Sequence, residues 1–315
     1  MTRYVVRRLA FAVFLVLAVS SASLVLARLA PGDYVIGSLG IQARRETIEA
    51  ARERYGLNKS IAAQYGDWLA HAVRFDFGNS LLYDRPVRDL VPERAANTAI
   101  LALSGLVIAT LVGVPLGIVG GARRSGILAG AIRLCSVVLL SLPPLLTSIL
   151  LVFVAARTGW FPISGIRSTG ATAGSMLDLL HHLVVPAAAL ALPVAAMFER
   201  LQSQAMRETI DEPFVGAAIA RGVPWRRIVW RDALKPALRP VAAVYGLVIG
   251  TLLSGSFAVE VITSWPGLGS LMLDALRARD VYLVAGCAGA GAVFLALGTM
   301  VSDLALALVD PRAAE

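Results

Sequence analysis

Few side chains in this chain are able to do chemistry, and their spacing excludes more than it offers. Three histidines occur, His71 and the adjacent pair His181 and His182, with no HExxH pattern or spaced Cys/His cluster. Cys135 and Cys287 each stand in an apolar run and read as small core residues, not as a disulfide or a metal pair. Neither lysine, Lys59 or Lys235, belongs to a GxxxxGK[ST] phosphate loop, so if ATP drives this protein another chain must bind it. No nucleophile with its base and no metal cluster marks an intramembrane enzyme, and neither a metal nor a cofactor is expected. One carboxylate stands out: Asp303, in TMVSDLALALV, lies where a charge is expensive. It reads either as a proton or cation site or as a structural group near the polar interface, and the second reading is preferred.

The elements that must position these groups are set by lipid. The 315 residues are 57% hydrophobic and 16% charged, against about 25% charged in an ordinary soluble domain. Mean hydropathy is +0.72. Apolar runs predict six spans near 9–29, 97–120, 131–156, 183–203, 239–260 and 282–309. The first follows Arg3, Arg7 and Arg8 and is too long for a signal-peptide core. The expected fold is all-α, a polytopic membrane helix bundle of six transmembrane helices.

Charge orients that bundle. Arg123, Arg124 and Arg133 follow the second span, and seven basic residues from Arg207 to Arg239 follow the fourth. The stretch 30–96 instead balances nine basic against nine acidic residues. Both termini are therefore expected in the cytoplasm, and the net charge of +8 reflects topology, with no nucleic acid as partner. Residues 1–30 form the N-terminal segment and first span, 31–96 an outer subdomain, and 97–315 a core holding the other five. The subdomain is expected to carry one helix ending near Tyr55-Gly56 and a second with Ile61, Tyr65, Trp68, Leu69 and Ala72 on one face. Turns are expected at Phe77-Gly78-Asn79 and Asp84-Arg85-Pro86. Pro115, Gly117, Pro143-Pro144, Pro186 and Pro193 fall in or near the spans. They read either as static packing kinks or as bends along a path that opens and closes.

Within the polar loop 204–238, EPFVGAAIARGVPWRRIVWRDALKP reads as a device. Pro213 suits the first turn of a helix, with Asp211 and Glu212 complementing its dipole. That helix stops at Gly222, and a second restarts after Val223-Pro224. Phe214, Ala217, Ala218 and Arg221 are placed on one face by their spacing. The element either lies passively on lipid or fits a groove on another protein and transmits a push to the flanking spans.

These residues carry a resemblance. Ala217, Ala218 and Gly222 resemble the core of the EAA loop of ABC-transporter permeases, with Gly216 where that family has its Glu. The downstream Leu-Pro signal is blurred into Ala233-Leu234-Lys235-Pro236. The chain further resembles the first permease of the dipeptide/oligopeptide/nickel importers through ARLAPGD and through Gly56-Leu57, Gln64-Tyr65, Trp68, Asp76, Gly78, Ser80 and Arg85-Pro86-Val87. TGWFPISG, SWPGLG after Glu260, and VDPR extend the match over nearly the whole chain. Asn58-Lys59-Ser60 replaces a usually proline-containing turn.

The resemblance implies a non-catalytic permease subunit in a bacterial inner membrane. Its implied partners are a second homologous permease, two cytoplasmic ABC ATPases, an outer substrate-binding protein and the lipid bilayer. Phe214, Ala217, Ala218, Arg221 and Gly222 would couple to an ATPase. Glu260, Trp265, Pro266 and Gly267, at the outer end of the fifth span, would form an outer gate or contact the binding protein, or else serve only to pack their loop. His181 and His182 are expected to cap the outer entrance to the fourth span. Peptides, glutathione-like compounds, nickel chelates and opines are all cargo of similar chains. The competing readings are an ATP-independent secondary transporter or channel, and a membrane scaffold.

Overall fold

Long apolar runs become long helices because a backbone removed from water must satisfy its own N–H and C=O groups. The computed structural model describes residues 2–39, 44–74, 76–123, 126–168 and 175–309, with side chains except at 2–5, 38–39, 254 and 302–309. In chain order come α1 (Thr2–Leu29), α2 (Tyr34–Leu39), α3 (Arg45–Arg54) and α4 (Ile61–Ala72). A short antiparallel pair follows, β1 (Asn79–Ser80) with β2 (Arg85–Pro86), Ser80 opposite Arg85. The chain continues through α5 (Val87–Ala122), α6 (Ile127–Leu140), α7 (Pro144–Thr158), α8 (Met176–Ile210) and α9 (Pro213–Ala220). Then come α10 (Trp225–Arg227), a π-helical turn (Ile228–Ala233), α11 (Leu234–Ala237), α12 (Arg239–Ile262), α13 (Leu268–Ala278) and α14 (Val281–Val309). The all-α expectation holds.

Among the described residues, four helices are long and apolar enough to cross a membrane, and two bent helix pairs bring the number to six if each pair is one span. The span expected at 131–156 is thus not one rod: α6 and α7 meet at 106°. Pro143 and Pro144 lack the N–H groups that would continue the ladder. Side-chain hydroxyls serve carbonyls on both sides of the break, Ser141 Oγ donating to Val137 O at 2.9 Å and Thr147 Oγ1 to Pro143 O at 3.2 Å. The second and fourth spans outrun their apolar cores, since α5 starts at Val87 and α8 covers 35 residues. Hydropathy marks only the part of a helix in lipid, not its polar ends.

Packing divides the chain into two compact units, residues 1–99 with 266–296 and residues 100–265 with 297–315. Residues 266–296, expected in the core, thus cluster with the N-terminal part. In the first unit Val87, Leu90, Leu268, Leu271, Ala275, Leu283, Val284 and Cys287 form the main core. Asp280, fully buried, accepts hydrogen bonds from Ser80 Oγ (2.6 Å), Leu82 N–H (3.1 Å) and Leu283 N–H (3.0 Å). One carboxylate thereby caps α14 and anchors the β1–β2 turn.

In the same unit α3 ends at Arg54, and Ser60 caps α4 by accepting from Ala63 N–H at 3.3 Å. Lys59 donates to Asp67 at 2.5 Å, and this hydrogen bond is the main cause holding the Asp67 carboxyl below its ordinary range. The turn without proline is thus held by Ser60 and Lys59. The buried residues of α4 are Gln64, Trp68 and Ala72, whereas Ile61, expected on that face, is exposed. Gln64 is tolerated inside because its Nε2 donates to Gly56 O at 2.8 Å.

The second unit is organised around α8. Leu101, Ala102, Leu106, Leu190, Ala191, Phe198, Val241, Val248 and Trp265 belong to its apolar core. Gly113, Gly117 and Gly121, one helical turn apart on α5, lie directly against α8. A Cβ at Gly117 would stand 2.6 Å from Gln202 Cβ and 2.7 Å from Glu199 O, and one at Gly121 would meet Ser203 O at 2.5 Å. Such spacing of small residues lets two membrane helices approach backbone to backbone. Above the stripe, Thr110 Oγ1 and Tyr245 Oη share a 2.6 Å hydrogen bond, and Phe198 stacks on Tyr245 at 5.5 Å. Cys135, expected in the core, is exposed on α6, while Cys287 is buried.

Gly117→Ala is expected to destabilise the second unit by about 1–3 kcal/mol, the usual cost of overpacking. Gly130→Ala, where an added Cβ meets nothing within 4 Å, serves as the neutral control. Thermal unfolding in detergent checks this: equal melting temperatures for the two variants would contradict the packing described.

Candidate functional site

The loop between α8 and α12 is built, not slack. α8 ends at Ile210, and Asp211 N–H still bonds back to Arg207 O. Glu212 takes an extended conformation, and Pro213 opens α9 with no N–H left to satisfy. At the other end Gly222 N–H donates to Ile219 O (2.9 Å) and Val223 N–H to Ala218 O (3.1 Å). Gly222 has φ +74°, left-handed backbone that a β-branched residue adopts only with strain. The chain therefore reverses within two residues and starts α10 at Trp225.

α9 is held by a small apolar cluster. Val215 (1% exposed), Ala218 (4%) and Ile228 (0%) pack together, with Val223 against them. Phe214, Ala217 and Arg221 point outward, and Phe214 keeps 43% of its surface exposed. The expected single face is thereby split: Ala218 turns inward with Val215, because position 218 lies between the two faces. Val215 and Ile228 are the residues that sequence reasoning missed, although the three-residue spacing of Val215 and Ala218 was legible. Gly216 is exposed, and a Cβ there would meet nothing within 4 Å, so the position has room for the acid it lacks.

Beyond α9 the helix widens into a π turn just before Pro236, whose ring would otherwise press on the carbonyl one turn earlier. The axis then bends by 53° into α12. Val229, Ala233 and Ala237 pack with Ile118, Ala205 and Met206, so the segment is fastened to the ends of α5 and α8. Trp225 and Trp230 stay nearly half exposed beside Arg226, Arg227 and Arg231, the composition of a membrane–water interface.

The other expected site residues fall elsewhere. Glu260 and Trp265 have no exposed surface, and Glu260 Oε1 accepts from Ser256 Oγ at 2.9 Å. Gly267 is buried, and Pro266 O accepts from Asn97 Nδ2 at 2.8 Å. Burial of Glu260, Trp265 and Gly267 gives these residues a packing role in this conformation. Asp303 lies on α14 with its side chain outside the described residues. His181 meets Trp160 O at 2.9 Å, and His182 lies 3.3 Å from Asp178, which also binds Ser168. Ser175 caps α8 beside them, so these histidines organise the start of that helix.

The chain is similar to known proteins in sequence and in fold. The sequence profile of the binding-protein-dependent transport system inner membrane component matches residues 113–315. The profile of the N-terminal part of such membrane components matches residues 1–100. The oligopeptide transport system permease protein AppB of Bacillus subtilis is 31% identical over 314 residues, 99% of each chain. A protein of Brucella suis biovar 1 named as a peptide permease is 32% identical over 316 residues, again 99% of each. Among solved structures, the inward-facing methionine ABC transporter MetNI has a chain with a TM-score of 0.54 and 17% identity. That likeness covers 70% of this chain and 96% of the other, and it concerns the fold.

Val215→Asp puts a charge among Val215, Ala218 and Ile228 and is expected to release α9. Limited trypsin digestion should then cut faster at Arg221, Arg226 and Arg227, by about tenfold if roughly 1.4 kcal/mol of local stability is lost. Phe214→Ala, at an exposed position, should leave the cleavage rate unchanged. Protection equal to wild type in Val215→Asp would contradict the cluster's role.

Proposed function

Because the chain belongs to the family of binding-protein-dependent transport system inner membrane components, we propose that it carries peptides or similar small solutes inward and couples to a separate ATPase through α9. It is a multi-pass permease subunit of an ABC importer. The observation that carries the coupling reading is the build of α9: eight residues, clamped from one side by Val215 and Ala218, displaying Phe214, Ala217 and Arg221 on the other. A helix so short is marginal on its own and transmits force only if packing makes it rigid.

In this reading ATP binding closes two cytoplasmic ATPase subunits, and a groove on one of them moves α9. The push reaches α8 directly and α12 through the π turn and α11, and the bundle exchanges inward- and outward-open arrangements. This subunit breaks no bond. A second, similar permease supplies the other half of the pathway, and an outer binding protein delivers cargo. Residues 31–96 then face outward, both termini face the cytoplasm, and the membrane is a bacterial inner membrane.

Gly222→Val is expected to leave insertion and expression intact while reducing ATP-driven uptake at least about tenfold, since its φ of +74° is lost or strained. Undiminished uptake at normal expression would remove Gly222 from the coupling role. Purification of the native complex in mild detergent followed by mass spectrometry addresses the partners. Two ATPase chains and a second six-span permease are expected, whereas a chain that emerges alone from several detergents would favour the ATP-independent reading.

A further inference from the structure

Where α6 meets α8, a cleft of about 380 Å³ is lined by Arg133, Arg200 and Arg207, with Glu199 and the hydroxyl-bearing Ser136 and Ser203 among them. Four charges share one cavity, yet no ion pair forms between them. Glu199 is 5% exposed and makes no hydrogen bond or ion pair with another described residue. Arg207 reaches only Ser203 Oγ, at 3.4 Å, and its shielded Nε has no partner. Burying the Glu199 carboxylate and half-burying the Arg207 guanidinium is costly unless something satisfies them, while Arg133 and Arg200 stay exposed at the rim. A molecule that satisfies all four groups at once offers an anion to the arginines and a cationic donor to Glu199.

The depth of the cleft says what that occupant is. At 1.5 Å per residue, the 35 residues of α8 run roughly 50 Å, against about 30 Å of hydrocarbon. The end that leaves lipid is the polar one, from Glu199 to Ile210, so the cleft lies at the level of the lipid headgroups. Beside it on α6, Leu134, Val137 and Val138 are exposed at helical spacing, an apolar wall on which acyl chains can lie. Basic pockets between membrane helices at this level suit lipid phosphates.

We propose that this cleft holds the phosphoethanolamine headgroup of a membrane phospholipid, its phosphodiester on Arg133, Arg200 and Arg207 and its primary ammonium on Glu199. The three-to-one excess of positive over negative side chains matches a phosphate flanked by one amine. Choline lacks N–H groups to donate to the carboxylate, and glycerol lacks the charge. A dipeptide carries both charges but leaves the apolar wall on α6 uncovered.

The test uses the full chain, delipidated in mild detergent and titrated with phosphatidylethanolamine, phosphatidylglycerol and phosphatidylcholine of equal chain length, with bound lipid counted by native mass spectrometry. No ATPase is needed, so the outcome is independent of the coupling reading. Phosphatidylethanolamine should be retained about tenfold better than phosphatidylcholine. Glu199→Gln should erase its advantage over phosphatidylcholine without weakening phosphatidylglycerol, and Arg200→Gln should lower phosphatidylethanolamine and phosphatidylglycerol about fivefold. Melting temperatures of the variants near wild type establish that they remain folded. Equal retention of all three lipids, or an unchanged preference in Glu199→Gln, would overturn the proposal. So would displacement of the lipid by stoichiometric soluble phosphoethanolamine, or by a dipeptide, which would make the cleft a site for free solute.

Discussion

Backbone-to-backbone approach of α5 and α8 is the contact on which the second unit depends. Lipid tails are as apolar as the side chains they would be exchanged for, so membrane helices gain little from hydrophobic burial and must gain from close fit. Gly113, Gly117 and Gly121 supply that fit by leaving no Cβ between α5 and residues 195–206 of α8. The consequence is visible in the neighbours. With the two axes close, Met206 and Ala205 reach Ile118, and this surface receives Val229, Ala233 and Ala237. The polar loop inherits its footing from a packing event deep in the bundle.

A second constraint follows from the first. Helices held this firmly can bend only where they are broken or widened. The chain has such places at Pro143-Pro144, where α6 turns by 106° into α7, and between the π turn and α12, where the axis bends by 53°. Each is chemically provided for. Hydroxyls of Ser141 and Thr147 serve carbonyls around the first, and the widened turn at Ile228–Ala233 makes room ahead of Pro236. Irregular backbone at membrane depth survives only with such provision. Under the proposed mechanism these are the positions able to bend while α5 and α8 move together.

The proposed coupling face shows how narrow the margin of sequence reasoning is. Phe214, Ala217 and Arg221 face outward as their spacing required, and Gly222 ends the helix with the backbone that its type permits. Ala218 went the other way, because whether a residue on the border between two faces turns in or out depends on the side chain waiting beneath it. That residue is Ile228, on the next element. Glu260 and Trp265 are a similar case: a carboxylate and an indole after a span look available, yet tertiary packing removes both from solvent.

What the sequence determined by itself was whatever depends on one solvent and one helix. Apolar length set the spans, arginine placement set the expected orientation, and Pro213 and Gly222 marked the ends of α9, since each of these is local. What only the tertiary structure decided was which helices touch and what they shut away. The GxxxGxxxG run at 113–121 stood in plain sight but means little without its partner, because a missing Cβ matters only when another backbone fills the space. The clustering of 266–296 with the N-terminal part, the anchoring of Ser80 by Asp280 and the meeting of Arg133 with Glu199 in one cleft arise in the same way. Each joins residues distant along the chain, and no periodicity within one segment encodes such a distance.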